Sequence, residues 1–182
     1  MGGRGARFTK LSNPKRGMTA EQTSTVITLE SIYRNKNIEY IFIVNSDGKI
    51  VAYNKGDEIS VKIPDFQKAP RLAVIHNHPK GGTFSPKDIE ENGKFEFKWM
   101  SVPTKNATYV LIHQGKDDNI RVDSFNLALN YKKFSDEIIM NFKQNTKRPF
   151  IKSSVDNLRT QHHEWLQQHA QQYNFKYLME EK

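Results

Sequence analysis

The sequence predicts an α/β protein, a mixed sheet flanked by helices and continued at its C-terminal end by a helical extension. Three observations predict it. Short runs rich in Ile, Val, Tyr and Phe recur between residues 39 and 113, each of strand length and bounded by turn-forming residues. Among them sits a segment with the marks of a helix start. From about Ser124 onward the apolar residues recur at helical spacing.

Taken in order, residues 1–18 read as a flexible, glycine-rich basic tail. Arg4, Arg7, Lys10, Lys15 and Arg16 have no acidic residue beside them, so the stretch suits a solvated linker or an arm for a polyanion. It lacks the apolar stretch of a secretory signal, and Ala6 stands where a myristoylation signal wants Ser or Thr. Residues 19–35 predict a helix opening at Thr19, with Val26, Ile27 and Leu29 on a partly buried face. The β-branched run from Thr23 to Thr28 opposes that reading.

EYIFIVN and KIVAYN, over 39–54, are two apolar strands joined by SDG, whose Asp-Gly step marks a tight hairpin turn. EISVKIP at 58–64 predicts a shorter strand closed by Pro64. RLAVI at 71–75 predicts a buried strand that runs directly into His-Asn-His-Pro. SPKDIEEN then predicts a helix, with Ser85 as N-cap and Pro86 in the first turn. ATYVLIH and NIRVDSF predict strands, and helices follow near 124–144 and 153–175, separated by KRPF. The chain thus divides into a tail (1–18), a metal-binding domain (19–123) and a helical extension (124–182).

A length of 182 residues allows one ordinary domain with an extension. Apolar residues make up 36% and the mean hydropathy is −0.74, so the core is modest and much of the chain is solvated. Cysteine is absent. That excludes disulfides and every Cys-containing zinc site, so a bound metal must be held by His, Asp or Glu. It fits a reducing, cytoplasmic setting. No run of about 18 apolar residues predicts a membrane span. A net charge of +8 allows contact with nucleic acid.

The chemistry concentrates at residues 76–88. His76 and His78 are two apart at a strand end, so their side chains project to the same side. Pro79 and the Gly81-Gly82 pair let the chain turn back, and Asp88 lies at the third position of the helix that follows. Two imidazoles and one carboxylate leave a fourth tetrahedral position open, the pattern of a catalytic zinc site. The plain alternative for Asp88 is a capping box with Ser85.

VIHNHPKGGTFSPKDI resembles the His-x-His-Pro…Ser-x-x-Asp signature of the JAB/MPN (JAMM) metalloprotease-like domains, nearest to bacterial RadC-type proteins and phage or mobile-element JAB proteins. Nine residues separate His78 from Asp88, one fewer than is usual in that family. The resemblance covers roughly residues 37–114. It implies a cytidine-deaminase-like fold, zinc on His76, His78 and Asp88, and a general-base glutamate earlier in the chain. It implies hydrolysis of a peptide or isopeptide bond in a protein substrate, with Ser85 stabilising the oxyanion. Glu39, Glu30 and Glu58 are the candidate bases, Glu39 being favoured because it opens the strand before the hairpin. A RadC-like accessory protein that binds DNA or a protein partner is the alternative.

QHHEWLQQHA at 161–170 falls one residue short of the helical zinc motif His-Glu-x-x-His, because Gln167 stands where the second His belongs. Its aromatic residues suit packing, and the basic residues Lys132, Lys133, Lys143, Lys147, Arg148 and Lys152 suit a solvated surface.

Overall fold

The computed structural model describes residues 16–145 and 152–181. Helix α1 spans Ala20–Tyr33. The Thr19 hydroxyl accepts from the Gln22 amide at 3.1 Å, which satisfies one of the free amides at the helix start and offsets the β-branched run behind it. The predicted hairpin is present as β1, Tyr40–Val44, and β2, Ile50–Lys55. Its turn closes with the Gly48 amide on the Asn45 carbonyl at 3.0 Å. The Asn45 side chain accepts from the amides of Asp47 and Lys49.

β3, Ala73–His76, is the strand predicted to lead into the two histidines. It pairs antiparallel with β1 and parallel with β4, Trp99–Pro103. A parallel neighbour requires a crossover, and helix α2, Pro86–Phe95, supplies it. β5, Ala107–His113, returns antiparallel to β4. Helix α3, Ile120–Asn145, helix α4, Lys152–His169, and β6, Phe175–Glu181, complete the described chain. The sheet order is β2-β1-β3-β4-β5-β6.

Strand alternation sorts the core into two layers. Phe42, Val44, Ala73, Ile75, Trp99, Val110 and Ile112 pack with Val26 and Leu29 of α1 on one face. Ile41, Ile43, Val74, Met100, Val102 and Leu111 pack on the other face with Ile89 of α2, Leu127 and Tyr131 of α3 and Leu166 of α4. The architecture is therefore α/β with a mixed sheet covered on both faces. Among the described residues no helix is long and apolar enough to cross a membrane.

Four sequence readings are corrected. NIRVDSF is not a strand: its residues from Ile120 onward open α3, and burial of Ile120, Ser124, Leu127, Ala128 and Tyr131 follows helical spacing. EISVKIP lies in an irregular connection, where the Asp57 carboxylate accepts from the Ile59 and Ser60 amides and competes with a strand ladder. The C-terminal region is not wholly helical. Phe175–Glu181 is a strand, paired with β5 from Ala107↔Glu181 to His113↔Phe175. The strand β4 is an element that the sequence reading did not include.

The fourth correction concerns the tail. Residues 1–15, with Arg4, Arg7, Lys10 and Lys15, lie outside the described residues, as do Lys147 and Arg148. Arg16 is described, and it is 2% exposed. Its guanidinium binds Glu30 at 2.6 and 3.1 Å and Glu180 at 2.6 and 3.1 Å. Its carbonyl accepts from the Trp99 indole at 2.6 Å. Ser101 donates to the same Glu30 carboxylate. Removing one partner from a buried pair leaves the other charge uncompensated. Arg16→Ala should therefore lower the unfolding free energy by about 3 kcal/mol or more, measured by urea denaturation.

Candidate metal centre

His76 ends β3 and His78 lies two residues on, so both share the face of Val74, the face covered by α2 and α3. The His76 and His78 Nε2 atoms stand 2.9 Å apart. Asp88 Oδ1 is 3.4 Å from His76 Nε2, and Asp88 Oδ2 is 3.6 Å from His78 Nε2. Donors held about 2.0–2.1 Å from one ion at tetrahedral angles lie roughly 3.3 Å apart. The three side chains thus form a triangle of the size that one small ion requires. Among the described residues they are the group of His, Asp and Glu whose donor atoms converge in this way.

Asp88 closes the capping box, and its carboxylate also stands beside both histidines. The Ser85 amide donates to Asp88 Oδ2 at 2.6 Å, and the Asp88 amide donates to Ser85 Oγ at 3.1 Å. This anchors the carboxylate while Oδ1 faces His76. The Ser85 hydroxyl accepts in the cap, so its own hydrogen remains available to another acceptor.

The local charges follow from this packing. Burial pushes the His78 imidazole down to about 4, and His76 adds to the effect. Burial works against the Asp88 carboxylate as well, but the two histidines and the Ser85 amide outweigh it and hold it well below the usual carboxylate range. Burial opposes charge on His76, yet Asp88 and Glu39 raise it overall.

Glu39 is 9% exposed, and the β1–β3 register explains where it points. Ile41 pairs with His76. Two residues further along the same antiparallel register, Glu39 stands opposite His78. It shares their face and lines the same cavity. Burial pushes its carboxyl up; His76 pulls against this, and Asp88 and Asp57 add to it.

Glu30 is excluded by position. It projects from α1 on the opposite face of the sheet, bound to Arg16 and Ser101. Glu58 borders the cavity, with its side chain 70% exposed and 3.9 Å from Lys80.

The cavity beside the triangle measures about 320 Å³. Ile41, Val74, Phe97 and Met100 form apolar wall, Val61 and Ile63 of the irregular connection add to it, and Ser85 and Asp88 stand at its side. The chain matches no family model, no curated protein and no solved structure. The reading of the site therefore rests on its own geometry.

The incomplete motif at 161–170 has a packing role. His162 contacts Ser135 Oγ at 2.9 Å, and His169 stacks on Trp165. Sequence reasoning missed the residues that grip the loop between His78 and Asp88, namely Tyr131, Arg159 and Tyr177. The alternation in FKYLMEE is the one signal that could have drawn the last of these into the sheet. Because Ser85 caps α2, Ser85→Ala should cost about 1 kcal/mol of stability and Ser85→Gly only a few tenths, as read from thermal unfolding of the metal-free chain.

Proposed function

We propose that the protein is a zinc-dependent hydrolase of the JAB/MPN type that cleaves a peptide or isopeptide bond. One observation carries the reading: the His76, His78 and Asp88 triangle and the Glu39 carboxylate border the same cavity. The donor set fits zinc, since two neutral imidazoles and a carboxylate are typical ligands of a site with an open position. Zinc there would supply Lewis acidity, acidifying water and polarising a carbonyl.

The chain's own residues do the rest. Glu39, raised by burial, takes a proton from the attacking water and passes it to the leaving amine. Ser85 donates its free hydroxyl hydrogen to the oxygen that gains charge at the tetrahedral carbon. Asp88 stays ionised and fixed by the Ser85 amide, and apolar walls line the cavity beside it.

The test uses purified full-length chain loaded with zinc. Metal analysis should give about one zinc per chain, lost in the His76→Ala, His78→Ala double variant. Glu39→Gln should retain zinc while hydrolysis falls by about 10²–10⁴-fold. Cleavage is read by mass spectrometry as new amino termini or freed lysine amines in a mixed peptide and isopeptide panel. Folded wild-type chain that takes up no zinc sinks the reading, and so does unchanged cleavage by Glu39→Gln.

A second reading, nucleic-acid binding by an accessory protein, is favoured by a separate feature. A cleft next to Pro79 is lined by Arg34, Lys36 and Lys105 with Asn35, Asn37 and Asn106, and no carboxylate lines it. Phosphate contacts release counterions, so such binding weakens with salt. On this reading, replacing Lys36 and Lys105 with Glu should weaken binding of a labelled DNA duplex. It should also flatten the logarithmic salt dependence by about two, and an unchanged slope would remove the cleft from consideration.

A further inference from the structure

The loop from His78 to Asp88 is held from outside the strand–loop–helix unit that carries the ligands. Arg159 of α4 donates to the Lys80 carbonyl. Its side chain lies over Gly81 and Gly82, whose φ angles of 80° and 97° favour glycine. Tyr131 of α3 donates to the Phe84 carbonyl at 2.9 Å. Between these two grips, Thr83 Oγ1 meets the Tyr177 hydroxyl of β6 at 2.8 Å. These three grips on the loop all come from the region after residue 123.

The Thr83 contact differs from the other two in what lies on each side of it. Toward the ligands, the Gly81 amide donates to the His78 carbonyl at 3.0 Å, and Thr83 stands two residues before Ser85, whose amide holds Asp88. On its far side, the Tyr177 hydroxyl meets His163 Nδ1 at 2.9 Å. A phenol has one hydrogen to give and lone pairs to receive, so it can serve both Thr83 and His163. The ring itself is held independently, 6.4 Å from the rings of Tyr109 and Phe84, with His163 at 5.5 Å. Thr83 is 8% exposed, so a hydroxyl left there without a partner would lack water to replace it.

We infer that Tyr177, braced by His163, is a positioning residue for the ligands His78 and Asp88: its hydroxyl fixes Thr83, and Thr83 fixes the loop that joins them. Loss of the groups that hold metal ligands in place from outside the ligand set typically weakens metal binding 10–100-fold. Here the support begins about a hundred residues after His78, in the last strand of the sheet.

This inference rests on the zinc reading, and its test separates the two. Full-length wild type, Tyr177→Phe, Thr83→Val and Thr83→Ser are titrated with zinc against a chromophoric chelator, and each metal-free protein is melted. Tyr177→Phe keeps the ring and loses the hydroxyl. It should weaken zinc binding by about tenfold, and the metal-free chain should stay folded with a lowered melting temperature. Thr83→Val should do the same, and Thr83→Ser should restore most of the affinity. Hydrogen exchange on the metal-free chains supplies a readout without metal: amides of residues 80–84 should exchange faster in Tyr177→Phe and Thr83→Val than in wild type and Thr83→Ser.

Unchanged zinc affinity in both hydroxyl-deleting variants overturns the positioning role, as does an equal loss in Thr83→Ser. If wild type takes up no zinc, the metal reading fails on its own, and the exchange rates then decide whether the hydroxyl pins the loop. Should Tyr177→Phe not fold, the Thr83 pair carries both measurements.

Discussion

The pairing of β1 with β3 is the constraint on which the site depends. Side chains alternate along a strand, so a slip of one residue would move Glu39 to the far side of the sheet. Hydrophobicity does not choose the register here, because β1 is apolar on both faces: Ile41 and Ile43 on one, Phe42 and Val44 on the other. The residue between the two histidines makes the choice. Asn77, 1% exposed, accepts the Tyr40 amide on Oδ1 at 2.7 Å and donates from Nδ2 to the Ile38 carbonyl at 2.9 Å. Its own amide donates to the Tyr40 carbonyl at 3.3 Å. The ladder thus continues past the strand end on a side chain, and it brackets Glu39.

The same economy governs Asp88. A carboxylate at the third position of a helix can close a capping box or reach a ligand, and in isolation these readings compete. In the fold they support each other. The bond from the Ser85 amide removes rotational freedom from the carboxylate, so less entropy remains to be lost when a cation is bound. The charge of Asp88 also makes up for part of the cost of burying two imidazoles nearby. With His78 pushed down to about 4, that ring stays neutral at ordinary pH and ready to act as a donor.

What the sequence made legible follows from range. The hairpin, β3, β5, the Thr19 start of α1 and the Ser85 cap are written within a few residues of where they act. So is the His76–His78–Asp88 group, which one strand–loop–helix unit brings together. Local sequence favours Glu39 over Glu30 only through its place at the start of a strand, since the difference between them is which face of the sheet each reaches. That depends on a strand register and a helix docking more than 30 residues from the histidines. NIRVDSF misled because Ile120 and Val122 alternate as in a strand, whereas Val122 is exposed and Ile120 packs with helical spacing. The buried state of Arg16 was not legible either: its partners Glu30 and Glu180 sit 14 and 164 residues away.

The final strand connects these features. An extension added to a finished domain would leave the edge of β5 open, with its backbone groups free to pair with another chain. β6 instead covers that edge along seven residue pairs. Because its side chains alternate, it serves both faces at once. Tyr177, opposite Leu111, turns to the face of the candidate metal centre and meets Thr83. Glu180, opposite Thr108, turns to the α1 face and meets Arg16, which is also bound to Glu30. The two carboxylates flank one guanidinium, so the segment before α1 and the end of the chain are locked across the same sheet. Helices α3 and α4 and strand β6 therefore belong to the folding unit that contains the site. Removing them would expose the β5 edge, leave Arg16 with one carboxylate and release Thr83 in a single step.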